Sequence, residues 1–557
     1  MDTISRAPFA QVVGFEESKP YGRKFFDVNV DDWRNRFSNR GKETYRILPG
    51  DVLILADAKP ESASDLQRVG MKWTFLSVTR IPDDEHGIGS TSIYFKVKAS
   101  KDIQLDDKMK KSMFVIFLTN ITPNCRIWNS LHMPGNLKII EEVLCPNPGV
   151  EENYELCCVK GDGIWKEKFG PRLLSGLNDS QVKAVSACLG KMHCNHKSSV
   201  DLIWGPPGTG KTTTVSILLF NLLKMRCRTL VCAPTNVAIT EVASRVLKLV
   251  KESFEADSGR DTLLCPLGDI LLFGNTERLK LNAEIEEIYL DYRIKKLQEC
   301  FGLLTGWRHC FTSMSDFLED CVPQYHIFLG NELMKKREKH NENEIKEEES
   351  TNRTDWSKGG SKSFLEFMRE RFKCSATSLR NCLYVFLTHI PESCILENNL
   401  RNMVSLISLL NSFETLLSQD NVASEELEEL FSHSIIENLS QSILDRKYLL
   451  HEIRNGCHSL LRVLWNSLNE IDLPRTVYKE SLKHLCFKKA SLIFCTATSS
   501  YKLHSAEMEP LNFLVIDEAA QLKESESTIP LKLPGIKHAI LIGDECQLPA
   551  MVESSVC

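Results

Sequence analysis

Five short runs of continuous apolar residues form the clearest pattern along the chain. They read DLIW, TLVCA, SLIFCTA, NFLVIDE and HAILIGD. Strands that are apolar on both faces are typical of a parallel sheet with helices on both sides. The runs fall into two blocks of sequence. Residues 171–250 and 485–557 are therefore predicted to form one discontinuous α/β domain built on a parallel sheet.

The stretch between these blocks, residues 251–484, has a different periodicity. Segments such as NAEIEEIYLDYRIKKLQECF repeat apolar residues at the i, i+3, i+4 spacing of amphipathic helices. We therefore expect a large, mainly helical insertion. Within it, residues from about 335 to 363 are charged, polar and poor in apolar side chains, which predicts a disordered loop.

The first part of the chain is rich in strand patterns. Residues 44–125 contain the segments DVLILAD, KWTFLSVTRI, SIYFKVKA and SMFVIFLTNI, separated by polar breaks. Short strands with such breaks favour a small barrel or sandwich, so an accessory β-barrel-like domain is predicted here. Residues 1–43 are interpreted as an N-terminal extension, and residues 126–170 as a helical connection.

Composition limits the class of protein. The chain has 68 Lys and Arg against 74 Asp and Glu, a net charge of −6, so any nucleic-acid surface must be a local cleft. No apolar run approaches the roughly 18 residues that cross a membrane, and the N-terminus lacks the pattern of a secretory signal. The 20 Cys form no CxxC pair, which indicates reduced thiols inside the cell. The run KKREK fits a nuclear-import signal or a solvated charge run, so nucleus or cytoplasm is expected.

The stretch IWGPPGTGKTTT carries the first candidate chemistry. Gly205, Gly210, Lys211 and Thr212 match G-x-x-x-x-G-K-[ST], a loop whose backbone N–H groups cradle phosphates. The Lys ammonium reaches the β- and γ-phosphates, and the Thr hydroxyl can bind Mg²⁺. An apolar strand precedes the loop and a helical pattern follows it. The predicted phosphate-binding residues are Gly205, Pro206, Pro207, Gly208, Thr209, Gly210, Lys211, Thr212 and Thr213.

Carboxylates at the ends of later strands supply the second half of this chemistry. Asp517 follows the run FLVI and is predicted to hold Mg²⁺, while Glu518 is placed to orient the attacking water. Gln547, after the run HAILIG, is placed to sense the γ-phosphate, and Asp544 to support the metal shell. Ligands bind at the carboxyl edge of an open α/β sheet, so these residues are expected to converge with Lys211.

Six motifs in order resemble those of superfamily-one RNA and DNA helicases. They are LNDSQVKAV, GPPGTGKTTT, APTNVAITEVASR, FCTATSS, VIDEAAQL and GDECQLPA. The resemblance is to the branch with the nonsense-mediated-decay helicase and senataxin, and most of all to plant helicases described as tRNA-splicing-endonuclease positive effectors. It implies a RecA-like P-loop domain, ATP and Mg²⁺ as cofactors, and single-stranded RNA or DNA as partner. Ala550 replaces a Pro that is usual in the wider family.

The resemblance also implies roles for individual residues. Gln181, with Asn178 nearby, matches the motif that contacts adenine. Two segments match those that grip the backbone of the single strand: Pro234, Thr235 and Asn236 in the first, and Thr496 and Thr498 in the second. RNA-processing or surveillance proteins are further expected partners.

The family pattern also sets an expectation about the extent of the chain. Helicases of this kind use a second RecA-like domain, which supplies the arginines that stabilise the transferring phosphoryl group. The sequence ends at Cys557, soon after the last motif. We expect it to represent the ATP-binding half of a helicase, from a truncated gene model or a splice product, and to be inactive or very slow in ATP hydrolysis without the second RecA-like domain.

Two other functions stay open at this point. One is another type of P-loop ATPase. Against it, a compact AAA+ domain has the P-loop Lys and the carboxylate at the strand end much closer in sequence than Lys211 and Asp517 are here. The other is a fragment that binds ATP or RNA without catalysis. ATP hydrolysis measured with and without single-stranded RNA would separate these possibilities.

Overall fold

The structure is a computed structural model. It describes residues 7–18, 24–34, 45–60, 62–67, 72–81, 93–101, 113–145, 176–191, 198–258, 264–275, 279, 281–344, 362–419, 424–432, 441–471, 473 and 477–550. The chain divides into two compact units, residues 1–133 and residues 134–557. In the part that the structure describes, no helix combines the length and the apolar character that a membrane crossing requires.

The first unit is a closed antiparallel barrel with the strand order β1-β2-β5-β4-β3-β6. Its elements are β1 Phe9–Glu17, β2 Phe25–Val30, β3 Asp51–Ala56, β4 Trp73–Arg80, β5 Ile93–Ala99, β6 Phe114–Asn120 and the helix α1 Thr122–His132. Side chains such as Val28, Leu53 and Phe95 fill the interior and are fully buried. The barrel is therefore a packed core.

The predicted barrel is confirmed, but its predicted boundary at residue 44 is wrong. The segment interpreted as an N-terminal extension supplies β1 and β2, which complete the closure. A β-bulge between Val12 and Gly14 interrupts the alternation of β1, and this hides the strand in the sequence. The helical connection holds for α1 and for α2, Leu137–Leu144, whereas residues 146–170 lie outside the described residues.

The second unit contains a six-stranded parallel sheet with the order β7-β12-β11-β8-β10-β9. Its strands are β7 Ser199–Trp204, β8 Thr229–Ala233, β9 Ile270–Leu272, β10 Leu492–Thr496, β11 Phe513–Ile516 and β12 His538–Gly543. The prediction that two distant blocks of sequence form one parallel sheet is confirmed. The short β9 was not predicted, because it lies inside the segment assigned to the helical insertion.

Helices cover both faces of this sheet. The first face packs against α4, Lys211–Lys224, and α5, Asn236–Ser258, which follow α3, Asp179–Gly190. Along each strand the residues alternate: Val231, Phe494 and Val515 belong to that core. Their neighbours, including Leu230, Ile493 and Leu514, belong to a core that is continuous with the insertion. This arrangement explains why the strands are apolar throughout.

The insertion is a bundle of helices, as predicted. Further helices in the described part of this unit are α6 Ala283–Glu286, α7 Leu290–Phe301, α8 Trp307–Glu344, α9 Phe364–His389, α10 Glu397–Leu417, α11 Ser424–Ser432, α12 Gln441–Glu470, α13 Lys479–Lys489 and α14 Glu524–Leu531. Of the loop predicted at about 335–363, residues 335–344 are helical, which corrects its start. Residues 345–361 lie outside the described residues.

A fully buried arginine joins the insertion to the edge of the sheet. The guanidinium of Arg293, on α7, donates to the carbonyls of Leu267, Gly268 and Ile270 at 2.8, 3.0 and 2.6 Å. These carbonyls lie in and just before β9, which pairs with β10. Burial lowers the pKa of Arg293, and the three bonds to oxygen offset this loss of hydration. Arg293 thus fixes the start of the insertion to the sheet.

We expect Arg293→Met to lower the free energy of unfolding of the second unit by about 3 kcal/mol or more, because it removes three hydrogen bonds from a charged donor to buried carbonyls. Urea unfolding followed by tryptophan fluorescence measures the effect. The matched control is Lys295→Met at an exposed position of the same helix, which should change stability by no more than about 0.5 kcal/mol. Equal stability of the two variants would contradict the assigned role.

Candidate functional site

The register of the sheet brings the ends of five strands to one edge. Trp204 pairs with Gly543 between β7 and β12, and Ala233 pairs with Thr496 between β8 and β10. Ile516, the last residue of β11, pairs with Cys232. Because all strands are parallel, the segments that follow them lie at the same edge. Lys211 and Asp517, which the sequence separates by the whole insertion, are thereby brought to one site.

The loop between β7 and α4 has the backbone that its glycines require. Gly208 and Gly210 have φ values of 79° and 81°, a region that favours glycine. A Cβ on Gly205 would come within 2.7 Å of the Thr209 hydroxyl, and one on Gly210 within 2.7 Å of Gln181 Nε2. Pro206, Pro207, Gly208 and Thr209 are exposed. The loop therefore has the form of a phosphate cradle at a helix N-terminus.

Side chains of the loop fold back on its own carbonyls. Lys211 Nζ donates to the carbonyl of Gly205 at 2.5 Å and reaches that of Pro206 at 3.4 Å. The Thr209 hydroxyl donates to the Pro206 carbonyl at 2.8 Å. Thr212 is partly buried and Thr213 is exposed in the first turn of α4. The ammonium group is thus held at the loop, next to where a phosphate would enter.

The loop is also tied to the helix α3 that precedes it. Asn178 and Gln181 form a capping box, in which Asn178 Oδ1 accepts from the Gln181 N–H at 3.0 Å and Gln181 Oε1 accepts from the Asn178 N–H at 2.9 Å. Gln181 Nε2 donates to the Thr209 carbonyl at 2.9 Å. Gln181 therefore supports the shape of the loop. The adenine contact implied for Gln181 stays a prediction.

Asp517 is a buried carboxylate facing this loop. Its backbone N–H continues the pairing of β11 with β8 by donating to the Cys232 carbonyl at 2.9 Å, and its side chain is only 4% exposed. Burial first, and then the charge of Glu518, raise the pKa of Asp517 to about 6, against a lowering contribution from Lys211. A buried carboxylate with too little positive charge around it suits the binding of a divalent cation.

Glu518 sits on a strained turn immediately after Asp517. Its φ is 51°, an unusual value for a residue with a side chain. Gln521 Nε2 donates to Glu518 Oε2 at 3.0 Å and so orients this carboxylate. Sequence reasoning did not single out Gln521. Its only signal is the i, i+3 spacing from Glu518, which becomes informative once the turn is known.

Asp544 organises the loop after β12. Its carboxylate accepts from the Cys546 N–H at 3.0 Å and from Gln547 Nε2 at 2.8 Å. The hydrogen bond from Gln547, with smaller contributions from the Cys546 N–H and the Trp204 side chain, holds the pKa of Asp544 below its ordinary value. Asp544 therefore positions Gln547 directly, and its predicted support of a metal shell stays a prediction.

The two segments expected to contact nucleic acid lie side by side. Ala497 N–H donates to the Ala233 carbonyl at 3.0 Å, which joins the ends of β8 and β10. Thr235 is exposed, and its hydroxyl accepts from the Ala238 N–H at 3.2 Å at the start of α5. Thr496 is buried and bonds to Ser499 Oγ at 2.8 Å.

The five residues predicted to contact nucleic acid differ in their solvent exposure. Pro234, Asn236 and Thr498 are partly buried. Thr235 is thus the hydroxyl of this group that is most open to a ligand, whereas the Thr496 hydroxyl is buried and bonds within its own turn. The strand contacts themselves stay predictions.

The raised pKa of Asp517 predicts a stability cost. With a pKa of about 6 in the folded chain and an ordinary value of 3.8, ionising Asp517 disfavours folding above about pH 4, and the full cost is reached above pH 6. In the absence of nucleotide and Mg²⁺, Asp517→Asn should raise the free energy of unfolding by about 3 kcal/mol at pH 8 and by roughly half of that at pH 5.

Urea titrations of both proteins at the two pH values test this expectation. Asp291→Asn, at an exposed position, is the control and should show no comparable gain. A wild-type chain that is more stable than the Asp517→Asn variant at pH 8 would contradict the assignment of an uncompensated carboxylate.

Two family models match the chain. One, described as a domain of unknown function (DUF6469), covers residues 1–151. The other, described as an AAA domain, covers residues 176–555 and thus includes the loop, the insertion and the later strand ends.

Curated relatives include proteins described as nonsense-transcript regulators and helicases. The chain is 32% identical to the fruit-fly regulator of nonsense transcripts 1 homolog over 125 residues, which are 22% of the chain and 10% of the relative. It is 24% identical to the mouse probable helicase senataxin over 323 residues, 49% of the chain and 12% of the relative. The yeast ATP-dependent helicase NAM7 is 43% identical over 123 residues, 20% of the chain and 12% of the relative.

The matched segments thus span only 10% to 12% of the length of these three relatives. The AAA domain model, in contrast, covers more than half of the chain. The chain belongs to this AAA domain family and, within it, to the superfamily-one helicase branch that contains the nonsense-transcript regulators and senataxin.

Proposed function

We propose that this chain binds Mg²⁺-ATP at the carboxyl edge of its parallel sheet and couples ATP binding and hydrolysis to a single strand of RNA. The observation that carries the proposal is the strand register, which aligns the ends of β7, β8, β10, β11 and β12. A phosphate loop, two consecutive carboxylates and a glutamine converge there from distant parts of the sequence. Each of these groups has a distinct task in phosphoryl transfer.

The loop and Lys211 hold the phosphates. Backbone N–H groups at the start of α4 and the positive end of the helix favour an anion at this position. Lys211 exchanges its contacts with the carbonyls of Gly205 and Pro206 for the β- and γ-phosphates of ATP. This exchange is favourable because a charge-assisted bond to phosphate is stronger than one to a neutral carbonyl.

Thr212 and Asp517 are the residues that would hold Mg²⁺. When bound, the ion neutralises charge on the β- and γ-phosphates. Asp517 is suited to this role, since burial keeps its carboxylate short of positive charge in the empty site. A bound cation would therefore stabilise the ionised form of Asp517. The affinity for Mg²⁺-ATP should weaken as the pH falls below about 6 and Asp517 becomes protonated.

Glu518 and Gln547 act on the attacking water and the γ-phosphate. Glu518 accepts a proton from the water, and Gln521 keeps the carboxylate in one orientation. Gln547 donates to the γ-phosphate after it leaves Asp544, which holds it in the empty site. The switch of Gln547 between these two acceptors links the state of the nucleotide to the loop after β12.

Strand β8 connects the nucleotide to the nucleic-acid segments. Its Cys232 carbonyl accepts from the Asp517 N–H, and two residues later Pro234 begins the segment expected to grip the single strand. Thr235 and backbone N–H groups contact phosphates without reading the bases. The names of the fruit-fly, plant and other relatives refer to transcripts, which favours RNA over DNA and RNA-surveillance proteins as partners.

We expect Lys211→Ala to weaken the binding of Mg²⁺-ATP by about 10- to 100-fold, because it removes a charge-assisted contact worth about 1.5–3 kcal/mol. Isothermal titration calorimetry measures the dissociation constant. Lys224→Ala, at the exposed C-terminal end of the same helix, is the matched control and should bind as tightly as wild type. Unchanged affinity in Lys211→Ala would refute the ATP site.

Coupling predicts that nucleotide changes RNA affinity. The dissociation constant for a labelled 20-nucleotide poly(U) RNA should change at least threefold when a non-hydrolysable ATP analogue and Mg²⁺ are added, and Lys211→Ala should abolish the change. By linkage, RNA must alter the affinity for the analogue by the same factor. Fluorescence anisotropy at fixed salt, with oligo(dT) of equal length as the DNA arm, makes the measurement.

Identical RNA affinity with and without the analogue would reject coupling while leaving the ATP site intact. The alternative function is that of a fragment that binds ATP and RNA without catalysis. Measuring the rate of phosphate release from ATP distinguishes the two functions. Without catalysis, wild type and Glu518→Gln would release phosphate at the same rate, whereas catalysis requires a slower rate in the variant.

A further inference from the structure

A second cleft lies outside the strand ends that form the proposed ATP site. It has a volume of about 760 Å³ and is bounded by the last turns of α5, the segment before β9, the helices α6 and α7, and the helix α9. This size falls within the usual range for ligand pockets. The cleft is built where the insertion meets the edge of the sheet, and it contains none of the motif residues.

The charges that line this cleft are unbalanced. Four carboxylates face two ammonium groups: Glu255, Glu284, Glu287 and Glu299 against Lys251 and Lys296. No arginine is among the described lining residues. The cleft therefore favours a cationic group over an anionic one.

The side chain of His389 adds no positive charge beside Glu287. His389 lines the cleft, is only 5% exposed, and places Nε2 at 3.5 Å from Glu287 Oε2. Burial, followed by the charges of Arg293 and Lys296, lowers the pKa of His389 to about 3, so the imidazole is neutral. Its buried Nδ1 has no hydrogen-bond partner among the described residues.

Glu287 therefore gains no charge from its neighbour. Burial raises the pKa of this carboxyl even though Lys251 and Lys296 act in the opposite direction. A positive group brought in from outside would compensate Glu287 better than His389 does.

Tyr292 gives the cleft an aromatic wall. Its ring packs against the His389 ring with the centroids 6.1 Å apart, and Lys296 Nζ lies 5.5 Å from the Tyr292 centroid. The ring is thus already positioned to interact with cations. A planar guanidinium suits such a wall better than an ammonium, since it can stack on the ring while it donates to a carboxylate.

An apolar rim adjoins the charged cleft. Leu303 and Leu304, in the loop between α7 and α8, are 87% and 84% exposed. They lie between Cys300 and Thr305 in sequence, and both of these line the cleft. Two adjacent leucines that are almost fully open to water form a surface that a partner would cover favourably.

We propose that this cleft is a docking site for a peptide segment of a partner protein that carries an arginine next to apolar side chains. The guanidinium enters beside the packed rings of Tyr292 and His389 and donates to Glu287, and the apolar side chains cover Leu303 and Leu304. A free polyamine would satisfy the carboxylates but would leave the leucines exposed. The combination of acidic cleft and apolar rim therefore selects a peptide.

A phage library of random heptapeptides tests the proposal. The wild-type protein is the target of selection. Phages that also bind the double variant Glu284→Gln/Glu287→Gln are discarded, because they bind outside the cleft. We expect the enriched peptides to contain arginine within three residues of Leu, Ile, Met or Phe. Failure to enrich any sequence over the variant, or enrichment of peptides without arginine, would overturn the proposal.

The enriched peptide is then synthesised in two forms, with arginine and with citrulline, which has nearly the same shape but no charge. Anisotropy should show at least tenfold tighter binding of the arginine form to wild type. Glu287→Gln should lose this preference, and Glu425→Gln, an exposed carboxylate outside the cleft, should keep it. Thermal unfolding of each variant confirms that the fold is intact.

The rim is tested separately. Leu303→Ser/Leu304→Ser should weaken the peptide at least fivefold, whereas spermidine should displace the peptide only at much higher concentration. If the serine variant binds the peptide as well as wild type does, and spermidine competes at equal concentration, the cleft is a polyamine site and the peptide proposal is wrong.

Discussion

Strand β8 is hydrogen-bonded on both sides to strands from the other end of the chain. Its register with β10 and β11 runs without a shift from Thr229 to the ends of the strands. This parallel pairing decides which residues share the carboxyl edge, and so it places Asp517 beside the phosphate loop. A slip in the pairing would turn Asp517 or its neighbours away from the loop, because successive residues of a strand point to opposite faces.

The pairing also explains how the sheet domain accommodates a long insertion. The entropy cost of closing a loop grows only slowly with its length, so a long insertion between two paired strands is tolerated. Here the insertion folds onto the sheet itself: Leu230 and Ile493 lie in one core with the helices of the insertion. Arg293 then fixes the first of its long helices to the strand β9. The insertion is therefore part of the domain that builds the proposed ATP site.

Much of this arrangement could be predicted from sequence because the signals are local. The apolar runs before Gly205, Asp517 and Asp544 predict strands, and the residues after these runs are typical of phosphate and Mg²⁺ binding. The barrel strand β1 and the three-residue β9 gave no such signal, since a bulge in β1 and the short length of β9 obscure their periodicity. The role of Gln521, the electrostatics of Asp517 and the cleft around Glu287 depend on burial and on distant contacts, which a linear sequence does not display.

In the proposed site, two distant parts of the sequence bind one nucleotide. Hydrogen–deuterium exchange with and without a non-hydrolysable ATP analogue and Mg²⁺ tests it most directly. We expect the loop from Gly205 to Thr212 and the turns at 517–521 and 544–547 to become protected together, and Lys211→Ala to remove protection from all three. Protection confined to the loop, with the two later turns unchanged, would contradict it.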